Sequence, residues 1–113
     1  MDTVQIKNFL RRIELFRDLN DTDCELLAQN FEFQTYIQNS LIFVENNERK
    51  YLYIVTEGEV ELYKKTPFGD EKRLTIFSKF DFFGEGAFID DSPHTTSARA
   101  TLNTTVLLLS KEK

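Results

Sequence analysis

Tryptophan is absent from this 113-residue chain, and cysteine, histidine and methionine occur once each. With Cys24 as the lone thiol, no intrachain disulfide can form and a reducing compartment, the cytoplasm, is the expected location. An iron–sulfur cluster needs several thiolates and is excluded on the same count. A cupin-type metal site needs several histidines with a carboxylate, and His94 stands alone. No Ser-His-Asp order with an elbow motif and no well-spaced Cys-His pair is present. An enzyme active site, a resident metal and a resident cofactor are therefore not expected. Basic charge is also short: 14 Lys and Arg face 19 Asp and Glu, a net charge of −5. That balance argues against binding nucleic acid through its phosphates. Clean apolar runs such as Val106-Leu107-Leu108-Leu109 are far short of a membrane span. No basic-then-apolar leader follows Met1.

What is present suffices for a core. Hydrophobic residues make up 41% of the chain and include 11 phenylalanines, and the length fits one domain over residues 1–113. Asp2 or Thr3 can cap a first helix with apolar Ile6, Phe9, Leu10 and Ile13 at helical spacing. Asn20 and Asp23 form a capping-box-like pair. Cys24, Leu27, Ala28 and Phe31 then define one face of a second short helix, which makes Cys24 a small core residue rather than a nucleophile.

From Phe31 the period changes to two, with Phe31, Phe33, Thr35 and Ile37 alternating with polar neighbours. Leu41 to Val44 is a short apolar strand, and Asn39 and Asn46-Asn47 mark turns that tolerate left-handed backbone. Tyr51 to Thr56 and Val60 to Lys65 flank a hairpin-like turn at Glu57-Gly58-Glu59. Thr66 to Asp70 is another turn, leading into Arg73 to Phe77. Ser97 to Leu102 and Thr105 to Ser110 form a last pair joined at Asn103-Thr104. The expected fold is mainly β: a double-stranded β-helix (jelly-roll) barrel over residues 31–110, behind N-terminal helices in residues 1–30 and with a short helix near residue 85.

The segment from Phe82 to Thr96 carries the chemistry. Gly84-Glu85-Gly86-Ala87 has no bulky side chain at its centre and can expose backbone N–H groups to an anion at the start of the short helix. Pro93 and the cluster His94-Thr95-Thr96 add a turn, hydroxyls and one titratable ring. The layout suits a phosphorylated ligand with a sugar attached, yet Phe82 to Thr96 contains no Lys or Arg. Each residue also has a plainer reading. Glu85 can be a helix-start carboxylate, His94 a surface turn residue, and Thr95 and Thr96 strand-entry residues. Asp90-Asp91 reads as a solvated turn rather than a metal site. Arg99 can face solvent, pair with an acid or stand in as a phosphate ligand.

The order of helices, turn-rich strands, Gly58 after Tyr53-Ile54-Val55, Phe83-Gly84-Glu85, then Pro93 and Ala98-Arg99-Ala100 resembles the cyclic nucleotide-binding domain family from Phe16 to Ser110. That family supplies the sensors of catabolite-activator-type transcription factors, protein kinase A regulatory subunits and gated channels. The resemblance identifies residues 83–96 with the phosphate-binding cassette, and implies ligand contacts from Phe83, Gly84, Glu85, Gly86, Ala87, His94 and Thr95. Glu85 would take the ribose 2′-hydroxyl, and the Gly86 and Ala87 N–H groups would face the cyclic phosphate of cAMP or cGMP. His94 stands where the family has Arg. Losing that fork corresponds to about 1.5–3 kcal/mol, roughly 10–150-fold in affinity. If His94 contacts phosphate, binding should strengthen as pH falls through about 6.5. Asn39 and Asn46 replace turn glycines of the family, and Phe80 replaces a glycine before the cassette.

The family's C-terminal lid helix does not fall within these residues. Ser110-Lys111-Glu112-Lys113 follows the last strand with charges that could open a helix, so the reading expects a parent protein, of bacterial type, with an effector region beyond. The implied role is a non-enzymatic regulatory sensor with altered ligand specificity. Its alternatives are a scaffold that binds no nucleotide and the sensor half of a DNA-binding regulator. Homo-oligomerisation is compatible with all three.

Overall fold

A computed structural model describes residues 1–111, so Glu112 and Lys113, where a helix opening was read, lie outside the described residues. Helix α1 spans Thr3–Leu10 and α2 spans Asp21–Ala28, with a 3-10 turn at Glu14–Phe16 between them. Asp2 is the N-cap of α1: its carboxylate accepts from the Gln5 N–H at 2.8 Å, and Gln5 Oε1 accepts from the Asp2 N–H at 2.9 Å. Two otherwise orphaned donors are satisfied reciprocally. Asn20 caps α2 by accepting from the Asp23 N–H at 2.8 Å. Arg11 ties the two helices together through an ion pair with Asp21 and a bond to the Leu19 carbonyl at 2.6 Å.

Eight strands follow: β1 Phe31–Tyr36, β2 Leu41–Phe43, β3 Tyr51–Glu57, β4 Glu59–Lys65, β5 Glu71–Ser78, β6 Phe82–Phe83, β7 Ser97–Ala100 and β8 Thr104–Ser110. They form two antiparallel four-stranded sheets, ordered β1-β8-β3-β6 and β2-β7-β4-β5. The jelly-roll barrel read from the sequence is thereby corrected: this is a mixed fold of two helices and two open sheets. Each sheet keeps two edge strands, and no strand of one pairs with a strand of the other. Two local pairings are corrected for the same reason. β3 and β4 do not form a hairpin at Gly58, and β7 does not pair with β8, because at both places the chain leaves one sheet and enters the other. Among these neighbours only β4 and β5 form a true hairpin, closed by the Thr66 N–H bonding the Asp70 carbonyl at 2.7 Å.

Strand alternation divides the interior into two layers. Leu52, Ile54, Leu107 and Leu109 face the helices and pack with Ile6, Leu10, Ile13, Phe16, Cys24 and Ala28. Their neighbours Tyr53, Val55, Val106 and Leu108 face the second sheet and pack with Phe43, Val60, Phe83 and Ala98. Both faces of β3 and β8 are thus covered, which explains why Val106 to Leu109 is apolar without interruption. Cys24 is fully buried, with its Sγ 3.9 Å from the Lys7 carbonyl. On β1 the alternation is weaker than read, since Phe33 is 45% exposed. Arg99, on the outer face of the second sheet, pairs with Glu61 at 3.1 Å and Glu71 at 3.0 Å and lies over the Tyr63 ring. It takes the acid-pairing role and not that of a phosphate ligand. Among the described residues no helix is long and apolar enough to cross a membrane.

Candidate functional site

The cassette is anchored from below by aromatic packing. Phe83 pairs with Tyr53 across β6 and β3, and its ring is stacked between Tyr53 and Phe77, 4.9 Å from each. Gly84 turns the chain at φ +81° into a 3-10 turn, Glu85–Phe88. Four residues make no sustained helix, so the dipole expected at a helix mouth has little to sum. The Ala87 N–H donates to the Gly84 carbonyl at 3.1 Å and closes the turn, while the Ala87 side chain is buried beneath it. Glu85 is exposed at the front of the turn.

His94 departs from the surface turn residue of the simpler sequence reading. It is only 4% exposed, and its ring lies flat on Phe43 with centroids 3.7 Å apart and planes 5° from parallel. Burial first, and the nearby Arg49 charge second, push its pKa down from 6.5 to about 4. The ring is therefore neutral at physiological pH, and the rise in binding expected near pH 6.5 loses its physical basis. Thr95, next in the chain, is exposed.

The loop between β2 and β3 is bolted to this point. The Asn46 N–H donates to the His94 carbonyl at 2.8 Å, and the His94 N–H donates to the Asn47 carbonyl at 2.9 Å. Asn46 accepts a left-handed φ of +77° to make that reach. Three residues on, Arg49 points into the cassette. Its Nη1 lies 2.7 Å, and its Cζ 2.9 Å, from where a Cβ on Gly86 would stand. A side chain at Gly86 would move the guanidinium, the mobile end of a long side chain, out of this position. The Arg49 side chain is 20% exposed, and its nearest acid is Asp90, with Nη1 3.6 Å from Oδ1.

Phe83, Gly84, Glu85, Gly86, His94 and Thr95 line one cup of about 200 Å³, joined there by Phe43, Arg49, Leu62, Phe77 and Thr96. Ala87 is not among its lining residues. Arg49 was missed from the sequence because nothing local distinguishes it; the only signal was the missing cation between Phe82 and Thr96. Among the described residues no group of three His, Cys, Asp or Glu side chains is placed to hold a metal.

The profile of the family described as "Cyclic nucleotide-binding domain" matches residues 33–113. The chain belongs to the cyclic nucleotide-binding domain family. It is 36% identical over 97 residues to a cGMP-dependent protein kinase of Plasmodium berghei, an alignment covering 86% of this chain and 11% of that protein. It is 30% identical over 98 residues to the cyclic AMP receptor protein of Thermus thermophilus, covering 87% of this chain and 45% of that one. Among solved structures, the N-terminal domain of a transcriptional regulator from Streptomyces coelicolor superposes with a TM-score of 0.85 at 30% identity, covering 92% of this chain and 73% of that one. This cyclic nucleotide-binding domain thus spans between about a tenth and just under half of these two curated relatives. By sequence and fold it is related to regulatory, ligand-sensing modules.

Proposed function

We propose that this chain is a non-enzymatic regulatory sensor domain whose cup takes a small ligand of the cyclic nucleotide class, a sugar bearing an anionic phosphate such as cAMP or cGMP. The cup is framed by Phe83, Gly84, Glu85, Gly86, His94 and Thr95, with Ala87 closing the turn from below. One observation carries the reading: a carboxylate, two threonine hydroxyls and a guanidinium open onto the same space of about 200 Å³. An acceptor for sugar hydroxyls and donors for anionic oxygens therefore converge at one point. The volume is below the roughly 300–1,000 Å³ of pockets that enclose a whole drug-sized ligand. It suits the sugar and phosphate, with the base at the rim. Because His94 is neutral and buried, specificity is altered relative to a cassette with Arg at that position.

Ligand binding acts by population shift, favouring the arrangement of cassette and helices that binds better. Glu85 also borders an apolar groove lined by Leu15, Phe16, Leu19, Leu27 and Phe88, so its engagement bears on how the cassette packs against the helical layer. The output lies in an effector region of a longer protein, a DNA-binding one in the transcription-regulator version. Calorimetric titration of the protein with cAMP and cGMP tests the reading. Saturable heat is expected, and no heat at millimolar ligand would sink it.

A scaffold that binds no nucleotide is the second reading. It is favoured by the aromatic rings of Phe43, Phe77 and Phe83 around the small cup, and it expects a melting temperature unmoved by either nucleotide.

A further inference from the structure

The cation that the cassette lacks is present, but it arrives from another part of the chain. We propose that Arg49, on the loop between β2 and β3, is the anion-binding residue of the cup, and that Asp90 is a built-in competitor which an anionic ligand displaces. The inference rests on the sensor reading above and assigns the charge of that site.

Three observations carry it. The guanidinium occupies the space that Gly86 leaves, 2.7 Å from the position a Cβ would take, so it sits on the cassette backbone and inside the cup. The loop that carries it is tied to His94 by two backbone hydrogen bonds, through Asn46 and Asn47, at 2.8 and 2.9 Å. Its ion pair is loose: Asp90 Oδ1 stands 3.6 Å away, on a side chain 55% exposed, and the same oxygen accepts the Ser92 N–H at 2.8 Å. At 3.6 Å the contact is well beyond the roughly 2.7–2.9 Å of a charge-assisted hydrogen bond. A phosphate oxygen entering between Gly86 and Thr95 can accept from the guanidinium at hydrogen-bond distance, and Asp90 keeps its bond to Ser92.

Neighbouring charge fits this assignment. Lys111 lies within 4 Å of both Glu48 and Asp91, and Arg99 is held by Glu61 and Glu71 on the outer face of the second sheet. Arg49 is the cation that lines the cup. Its charge is also one cause of the depressed pKa of His94, so the two groups are close enough to feel each other. The histidine at the family's arginine position thus acts as a neutral aromatic wall, and the guanidinium enters over Gly86.

The test is calorimetry with cAMP and with adenosine, its uncharged nucleoside, on the wild type, Arg49→Gln and Asp90→Asn. Arg49→Gln is expected to weaken cAMP by at least about tenfold, the loss of a charge-assisted contact, and to leave adenosine unchanged. Asp90→Asn retains the acceptor for Ser92 and is expected to tighten cAMP at least about twofold by removing the competitor. Unchanged cAMP affinity in Arg49→Gln overturns the assignment while the sensor reading stands. A wild type that binds neither cAMP nor cGMP overturns both. Should Arg49→Gln fail to fold, Asp90→Asn still decides, since unchanged or weaker cAMP binding there refutes the competition.

Discussion

Lowering the pH from 7 toward 4 should destabilise this fold through His94 in particular. The ring is 4% exposed and stacked on Phe43 at 3.7 Å, and burial together with Arg49 holds its pKa at about 4 against 6.5 when unperturbed. The folded pKa lies below the unfolded one, so the unfolded chain takes up a proton first as pH falls. The stabilisation is complete above about 6.5 and is lost progressively toward 4. At about 1.36 kcal/mol per pKa unit, the full effect is on the order of 3 kcal/mol. Against a typical domain stability of roughly 5–15 kcal/mol this is a large share. Carboxylates titrate in the same window, so the measurement is a difference: urea unfolding of wild type and His94→Gln at several pH values from 7 to 4. The wild type should lose about 2–3 kcal/mol more than the variant over that range. With one histidine in the chain, its imidazole proton resonance can be followed by NMR without ambiguity. A midpoint near 6.5, or parallel stability curves, would refute the burial argument.

Two further perturbations test backbone geometry. Gly58 turns at φ +96° where the chain passes between sheets, and a Cβ there would stand 2.5 Å from the Asn103 carbonyl and 2.7 Å from the Thr104 Cα. Gly58→Ala should cost about 2–4 kcal/mol in chemical unfolding; a loss under about 1 kcal/mol contradicts the close approach. Phe80 holds φ +78° while stacked on Phe9 at 4.9 Å with the Arg12 guanidinium 4.2 Å from its ring centre. Phe80→Gly and Phe80→Ala both remove the ring, but only Ala keeps the strain, so the Gly variant should be more stable by about 1 kcal/mol. Equal melting temperatures would show that the backbone leaves the left-handed conformation once the ring is gone.

Features fixed by near neighbours were legible in the chain. The caps at Asp2 and Asn20, the burial of Cys24 and the left-handed turns at Asn39 and Asn46 depend on a few adjacent residues, and the structure places them as read. Strand partners were less legible. Gly58 looks like a hairpin turn because two apolar strands flank it, yet β3 pairs with β8 and β6 while β4 pairs with β5 and β7. A turn signal states that the chain bends but does not say which sheet it enters next. His94 was misplaced for a related reason: a residue after proline near polar neighbours looks exposed until Phe43, far away in sequence, covers it.

The family and the order of elements were already in the sequence, because these follow from local pattern and from the residues of Phe83 to Ala100. The tertiary structure was needed to see that the sheets stay open, that His94 is buried against Phe43, and that Arg49 enters the cup over Gly86. The physical reason is the same in each case. A side chain's charge and surroundings depend on which distant segment is packed against it, and backbone hydrogen bonds across the fold, here those between Asn46, Asn47 and His94, make that choice.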